Sequence, residues 1–368
     1  MLLNKMSLNK VAAACTLIFM TCGIVGAQTL GETVAARTRV PGDVQLAGTD
    51  SLSNTSNSYP GGVTVLPGVT YSILSGYREL KFDLYLPPAQ FKAKGPRPLL
   101  VYIHGGGWAG GSDRMGSPYF DWPSILANIA EQGYVVASIE YRLSGEAAFP
   151  AQLQDIKSAI RWLRVNAGKY NIDPNRVMTW GRSAGGHLSA MAAVSCNVTS
   201  FAPSPRAAAA GHAAQDTQAS APVGFDEASD CVRGAVTWFG VFDLTKLAID
   251  SSNPLVNQLI GCGTVTPCSA EKFMNKMTAA SPVTYVTDKT PPIFIMHGTD
   301  DTTVPIAQSQ EFYDLLKSKG VKTEFIKVPG VGHSWTGKTP ETTRAACLLA
   351  LQKSLDFIDA TIGDKTGK

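Results

Sequence analysis

Arg176-Val177-Met178-Thr179-Trp180-Gly181-Arg182-Ser183-Ala184-Gly185 is the stretch that decides how this chain folds. A short apolar run ending at Trp180 leads into Gly-x-Ser-x-Gly. The segment Gly186-His187-Leu188-Ser189-Ala190-Met191-Ala192-Ala193 follows and reads as a small-residue helix able to pack close to a sheet. A strand, a turn carrying serine and a helix make a nucleophile elbow. The turn is so tight that residues two places either side of the serine must be small. It lifts the hydroxyl off the sheet edge and aims the helix N-terminus at whatever binds there. Five residues alone are a weak signal, because Gly-x-Ser-x-Gly also arises by chance, so the flanking pattern matters.

That pattern is consistent. Leu99–Ile103, Tyr134–Ile139, Val177–Trp180, Gly234–Phe239, Ile293–Met296 and Thr323–Val328 are short apolar or β-rich runs without strict alternation, as central parallel strands are. Helical patterns lie between and after them at Trp122–Gln132, Ala151–Tyr170, Ser183–Val194, Ile306–Lys319 and Ala345–Ala360. Tyr71–Leu86 reads as a leading antiparallel hairpin, with Leu80–Leu86 alternating. The expected fold is α/β: a doubly wound, mostly parallel sheet with an N-terminal antiparallel hairpin and a small insertion or cap. The insertion is expected at about 197–230, where Pro203, Pro205 and an Ala run carry no strand signal.

The chain has 368 residues, 44% hydrophobic and 17% charged, enough for one large domain with a substantial core. Lys5 and Lys10 precede an apolar stretch from Val11 that ends Val25-Gly26-Ala27. This reads as a secretory signal over 1–27, too short and wrongly flanked for a stable membrane anchor. Residues 28–58 read as a flexible lead and 59–362 as the folded domain. Losing Lys5 and Lys10 takes the formal charge from +3 to +1, so no nucleic acid or other polyanion is expected as partner. The expected location is secreted or periplasmic. Of seven cysteines, Cys15 and Cys22 belong to the signal. In an oxidising compartment Cys196 with Cys231 can staple the insertion and Cys262 with Cys268 can close a short loop, leaving Cys347 as a buried thiol. The alternative is five reduced core cysteines. No cysteine or histidine spacing suggests a metal, and no cofactor is expected.

For the elbow to matter, a base, an acid and oxyanion donors must converge from other strand ends. His104-Gly105-Gly106-Gly107-Trp108 follows the run ending at Ile103. Consecutive glycines there free backbone N–H groups to join that of Ala184, just after the serine, around a developing oxyanion. A merely flexible glycine loop is the bland alternative. Of the five histidines, His104 starts the glycine loop, His187 lies one helical turn past Ser183 and reads as packing or capping, His212 falls in the insertion, and His297 ends a strand and reads as structural. His333, in a glycine-rich loop after the last strand, is the base. The acid is Asp300 or Asp301, after Ile293–Met296; Asp243 is an outside rival that reads better as a turn or helix cap.

Together, His104–Trp108, Gly181–His187 and His297-Gly298-x-x-Asp301-x-x-Val304-Pro305 resemble the α/β-hydrolase esterases of the hormone-sensitive-lipase and feruloyl-esterase-like (BD-FAE) type. Tyr141-Arg142-Leu143, Phe149-Pro150-Ala151-Gln152-Leu153-x-Asp155 and Ala280-Ser281-Pro282-Val283 match as well, so the resemblance spans roughly 70–360. It implies Asp301 as the acid, Gly106 and Gly107 as oxyanion donors with Ala184, and the order Ser183, Asp301, His333. It also implies a carboxylic ester hydrolase working through an acyl-enzyme on small or aromatic esters, the substrate being a small molecule or a polymer; the signal reading adds that it is exported. A prolyl-oligopeptidase-type peptidase or a non-catalytic binding protein of the same fold are the alternatives. Arg182 departs from the family, in which an acidic residue or His commonly precedes the serine. It either favours carboxylate-bearing substrates or pairs with a neighbouring acid. Trp108 and Arg182 are the candidate pocket residues. Tyr119, Phe120, Trp122 and Phe149 read equally as pocket lining or as core.

Overall fold

Nine strands form one sheet in the order β1-β2-β3-β5-β4-β6-β7-β8-β9. They are β1 (Ser58–Tyr59), β2 (Val63–Ser72), β3 (Leu80–Leu86), β4 (Arg97–Ile103), β5 (Val135–Ile139), β6 (Ile172–Arg182), β7 (Ala235–Trp238), β8 (Ile293–Gly298) and β9 (Thr323–Val328). Pairing is antiparallel from β1 through β3 to β5 and parallel from β5 to β9. The computed structural model describes residues 57–89, 95–203, 224–247, 253–263 and 267–364. The expected signal, all but the last two residues of the expected lead, and His212 lie outside the described residues.

The helices are α1 (Trp122–Glu131), α2 (Ala151–Val165), α3 (Ala184–Val194), α4 (Leu244–Leu247), α5 (Pro254–Leu259), α6 (Ala270–Ala279), α7 (Ala307–Ser318) and α8 (Pro340–Ile362). Every residue of β4 is buried: Leu99, Val101 and Ile103 join the core shared with α2, α3 and α7, while Leu100 and Tyr102 join the core shared with α1 and α8. Burial on both faces explains why the central strands show no alternation. The α1/α8 face is aromatic. Trp180 lies 5.0 Å from Trp238, 5.3 Å from Trp122 and 5.4 Å from Tyr102, ring centre to ring centre. Tyr119 and Trp122 are therefore core, whereas Phe120 is 52% exposed.

The doubly wound sheet and its leading hairpin are as expected, and the boundaries differ in instructive ways. The hairpin's first strand reaches back to Val63, through Pro67-Gly68 and a register shift between Leu66 and Val69 that breaks the periodic pattern. The last helix starts at Pro340 rather than Ala345, because Thr339 caps the Thr342 amide and Pro340 occupies the first turn. The helix after Pro150 ends at Val165, not Tyr170. Three short helices, α4 to α6, fill a stretch that carried no expectation.

Both expected disulfides are present, Cys196–Cys231 and Cys262–Cys268, and Cys347 is a buried thiol. Of the insertion, residues 197–203 and 224–230 are described. Its base sits where α3 ends and β7 begins, at the far end of the sheet from Ser183. There Asp230 accepts from Lys157 and Arg161, each at 2.7 Å. Among the described residues no helix is long and apolar enough to cross a membrane.

Candidate active site

Ser183 sits at φ 52° and ψ −121°, strained for a residue with a side chain, between the end of β6 and the start of α3. Its N–H donates to the Trp238 carbonyl at 2.9 Å, which ties the elbow to β7. A Cβ at Gly181 or Gly185 would run into the backbone of Gly185 or of Ile103 and His104, respectively. The small residues are a steric requirement of the turn.

The Ser183 hydroxyl lies 3.0 Å from His333 Nε2, and His333 Nδ1 lies 2.7 Å from Asp301 Oδ2. A carboxylate only accepts, so Nδ1 carries the proton and Nε2 is left to accept from the serine. Three strand ends supply the three groups: β6 gives Ser183, β8 leads to Asp301 and β9 to His333. Asp301 is held on both oxygens. Its Oδ1 accepts from the N–H groups of Thr303 and Val304, each at 2.9 Å, and its Oδ2 also takes His297 Nε2 at 3.1 Å. Burial alone would raise its pKa. The bonds from His297, His333 and the Val304 amide win, and the carboxyl is held well below the ordinary carboxylate range.

His297 is fixed in turn, since Nε2 also donates to the Val304 carbonyl and Nδ1 accepts from the Ser309 hydroxyl at 2.7 Å. Its structural reading becomes specific: it holds the Asp301 carboxylate. Asp300 is exposed and accepts from the Thr299 hydroxyl, and no bond to His333 is found among the described residues. Asp243 caps its own turn by accepting from the Thr245 amide, as the cap reading expected.

Gly106 at φ 114° and Gly107 at φ 61° turn the loop after β4 past the serine. Among the described residues no acceptor takes the N–H groups of Gly106, Gly107 or Ala184, the last being an orphan donor of the first turn of α3. Trp108 follows at φ 60° and is buried, its indole N–H donating to His187 Nδ1 at 3.0 Å. His104 stacks on Tyr141 at 4.4 Å, and the Tyr141 hydroxyl donates to the His104 carbonyl at 3.1 Å, which braces the start of the loop. Farther on, Asp113 is buried with its pKa pushed up to about 7 by burial and then by Asp83, against the pull of Ser112 and Arg114.

A cavity of about 250 Å³ opens above Ser183, lined by Gly106, Gly107, Trp108, Arg182, Ala184 and His333 on one side. Val241, Leu247, Asn253, Leu255, Thr303, Val304 and Ser334 complete it. Val241, Leu247, Asn253 and Leu255 of this lining lie between β7 and the first turn of α5, a stretch that sequence reading did not single out as pocket. Leu255, exposed and two residues into a helix capped by Asn253, gave no periodic signal. The Arg182 side chain is buried; burial pushes the Tyr119 and Tyr141 hydroxyls well above their ordinary pKa, and the nearby Arg182 charge opposes this only in part. Phe149 packs against Phe201 and His187. Among the described residues no group of three or more His, Cys, Asp or Glu could hold a metal ion.

Residues 82–316 match the BD-FAE family model. The probable carboxylic ester hydrolase LipM of Mycobacterium tuberculosis is 33% identical over 224 residues, 61% of this chain and 46% of LipM. Esterase LipQ of the same organism is 28% identical over 299 residues, 79% of this chain and 62% of LipQ. The chain thus spans about half to three fifths of the length of these curated relatives. A solved structure described as a truncated carbohydrate esterase from gut microbiota is 28% identical at a TM-score of 0.64, covering 84% of this chain and 100% of that one. The apo form of Thermogutta terrifontis esterase 2, 23% identical at a TM-score of 0.62, shares the fold. With the family match covering more than half of the chain, and the elbow, glycine loop and His–Asp pair placed as in an α/β-hydrolase, the chain belongs to the BD-FAE family.

Proposed function

We propose that the protein is an exported serine carboxylic ester hydrolase acting through an acyl-enzyme on small or aromatic esters. The observation that carries this reading is the unbroken bond chain Ser183–His333–Asp301, at 3.0 and 2.7 Å, beside three unclaimed N–H groups. His333 takes the serine proton as Oγ attacks the ester carbonyl, and Asp301 holds the Nε2-accepting tautomer and stabilises the imidazolium. Gly106, Gly107 and Ala184 receive the oxyanion. The imidazolium then protonates the leaving alkoxide. In the second half-reaction His333 takes a proton from water as the water oxygen attacks the acyl carbonyl. The tetrahedral intermediate then breaks its bond to Ser183 Oγ, which the His333 imidazolium protonates, releasing the acid and restoring Ser183 and neutral His333.

The cavity of about 250 Å³ lies below the usual range for drug-sized ligands, which favours small esters or one end of a longer one. Export is supported by the Lys5/Lys10, apolar, Val25-Gly26-Ala27 pattern and by two disulfides. The test is turnover of p-nitrophenyl esters of increasing acyl length beside methyl ferulate, for wild type and Ser183→Ala. The expected result is hydrolysis favouring short or aromatic acids and a loss of about four to six decades in the variant. A Ser183→Ala protein that still turned over p-nitrophenyl acetate near the wild-type rate would end the proposal.

A further inference from the structure

One turn along α3 from Ser183, His187 is fully buried and belongs to neither the Ser183–His333–Asp301 chain nor the cavity lining. Its main-chain N–H donates to the Ser183 carbonyl at 3.0 Å, which sets the residue in the first turn after the elbow. The ring bridges two elements distant in sequence. Nδ1 lies 3.0 Å from the Trp108 indole nitrogen and Nε2 lies 2.7 Å from the Ala280 carbonyl. An indole N–H can only donate and a carbonyl can only accept. Nδ1 therefore carries a lone pair and Nε2 the proton: both bonds exist together only in this neutral tautomer. Burial agrees, pushing the pKa down to about 4 against the pull of the Ala280 carbonyl.

Trp108 is the residue directly after Gly106 and Gly107, and it holds φ 60°, a strained value for a tryptophan. Two bonds keep it there: the indole bond to His187, and its own carbonyl accepting from the Ser144 amide at 2.8 Å. The indole is the peg that fastens the end of the glycine loop to the helix that starts at the serine. At the other side of His187, Ala280 ends α6. The adjoining Ser281 hydroxyl accepts from the Leu244 amide, next to the cavity wall around Val241 and Leu247.

We propose that His187 is a positioning residue for the oxyanion donors, acting through Trp108 to hold the Gly106 and Gly107 amides in register with Ser183 and Ala184. This rests on the ester-hydrolase reading above. The gain is geometric: a displacement of about 1 Å in such a site costs about 100-fold in rate.

His187→Leu, His187→Gln, Trp108→Phe and the double variant His187→Leu/Trp108→Phe test it, with melting temperature recorded for each. Glutamine at 187 offers one acceptor and one donor, as the neutral imidazole does. Trp108→Phe leaves His187 in place and removes only the indole donor, so it remains informative where the leucine variant does not fold. His187→Leu and Trp108→Phe should each lower kcat on p-nitrophenyl acetate by about 10- to 100-fold with KM within about twofold. The double variant should be no worse than the poorer single one, because the two side chains share one interaction. His187→Gln should recover most of the loss, and the acid limb of the pH–rate profile should not move. Wild-type kcat in Trp108→Phe, a loss confined to KM, or a glutamine variant as poor as leucine at unchanged melting temperature would each overturn the positioning role. A wild-type protein inactive on all esters defeats the underlying reading and this one with it. Active wild type with unaffected variants defeats only this one.

Discussion

The two ends of the sheet hold the same backbone in different ways. Among the described residues, seven non-glycine positions have positive φ: Trp108, Asn171, Ser183, Asn197, Phe239, Ser334 and Trp335. The two at the far end, Asn171 before β6 and Asn197 after α3, are asparagines, which adopt that conformation at little cost. The five at the carboxyl end are serine or bulky aromatics, each strained by about 1–3 kcal/mol. They cluster around one point, with the Phe239 ring 4.6 Å from His333. Buried charge is paired at both ends, Arg142 on Asp155 just after β5 and Arg114 on Asp83 among the pairs nearer the site. The far end pairs its buried groups, Lys157 and Arg161 on Asp230, and Arg97 on Asp364. The carboxyl end keeps Asp113 buried beside Asp83 at a raised pKa. Backbone strain collects where the chemistry is proposed, whereas desolvated charge occurs at both ends: burial also lowers the pKa of Lys157 and Arg164 at the far end.

The largest effects should come from breaking the carboxyl end. Asp301→Asn leaves the geometry nearly isosteric and removes the carboxylate that selects the His333 tautomer. A loss of about 10³–10⁴ in kcat is expected at an unchanged fold, and a loss under tenfold would mean that Asp301 does not orient the base. At the far end, replacing Cys196 and Cys231 by serine opens a crosslink 35 residues long. The chain-entropy relation gives about 3–4 kcal/mol of lost stability, read from denaturant melts, with kcat/KM unchanged. Impaired turnover at full folding would show that the two ends are coupled.

Two smaller effects sharpen the contrast. Asp113 has a folded pKa above its unfolded one, so its ionisation opposes folding. Stability from this group is fully present below about pH 4 and declines towards about pH 7, by up to about 1.4 kcal/mol per pH unit. Asp113→Asn should abolish that decline and melt higher than wild type at pH 8, the difference vanishing near pH 4. A variant equally or less stable at pH 8 would refute the buried-charge reading. Finally, Ser183→Gly should raise stability by about 1 kcal/mol while abolishing turnover, because glycine accepts φ 52° freely. Asn171→Gly, the control, should gain nothing. Equal effects at both positions would erase the comparison.

What was legible in the sequence follows the same line. The central strands announced themselves because burial on both faces forbids polar residues in Leu99–Ile103 or Ile293–Met296. The cysteines bracketing 197–230 and 263–267 marked their own partners. The elbow and the glycine-rich loop pointed to Ser183 and His333, and the family resemblance chose Asp301 over Asp300; the structure joins the three in one bond chain. The cavity wall was not legible. Asn253-Pro254-Leu255 begins a six-residue helix, too short for a period to show, and Leu255 leaves no burial pattern because it is exposed. The links made by His187 were hidden for another reason: they join Trp108 and Ala280, 79 and 93 positions away. His297 likewise looked structural until Asp301, four residues on, proved to be what it holds.

The central claim is that Ser183 is an activated nucleophile, and a fluorophosphonate probe tests it most directly. Intact mass and peptide mapping should find one adduct, on Ser183, formed rapidly by the wild type and slowed by orders of magnitude in His333→Ala. No adduct on the folded protein, an adduct on another residue, or equal labelling of both proteins would contradict the account.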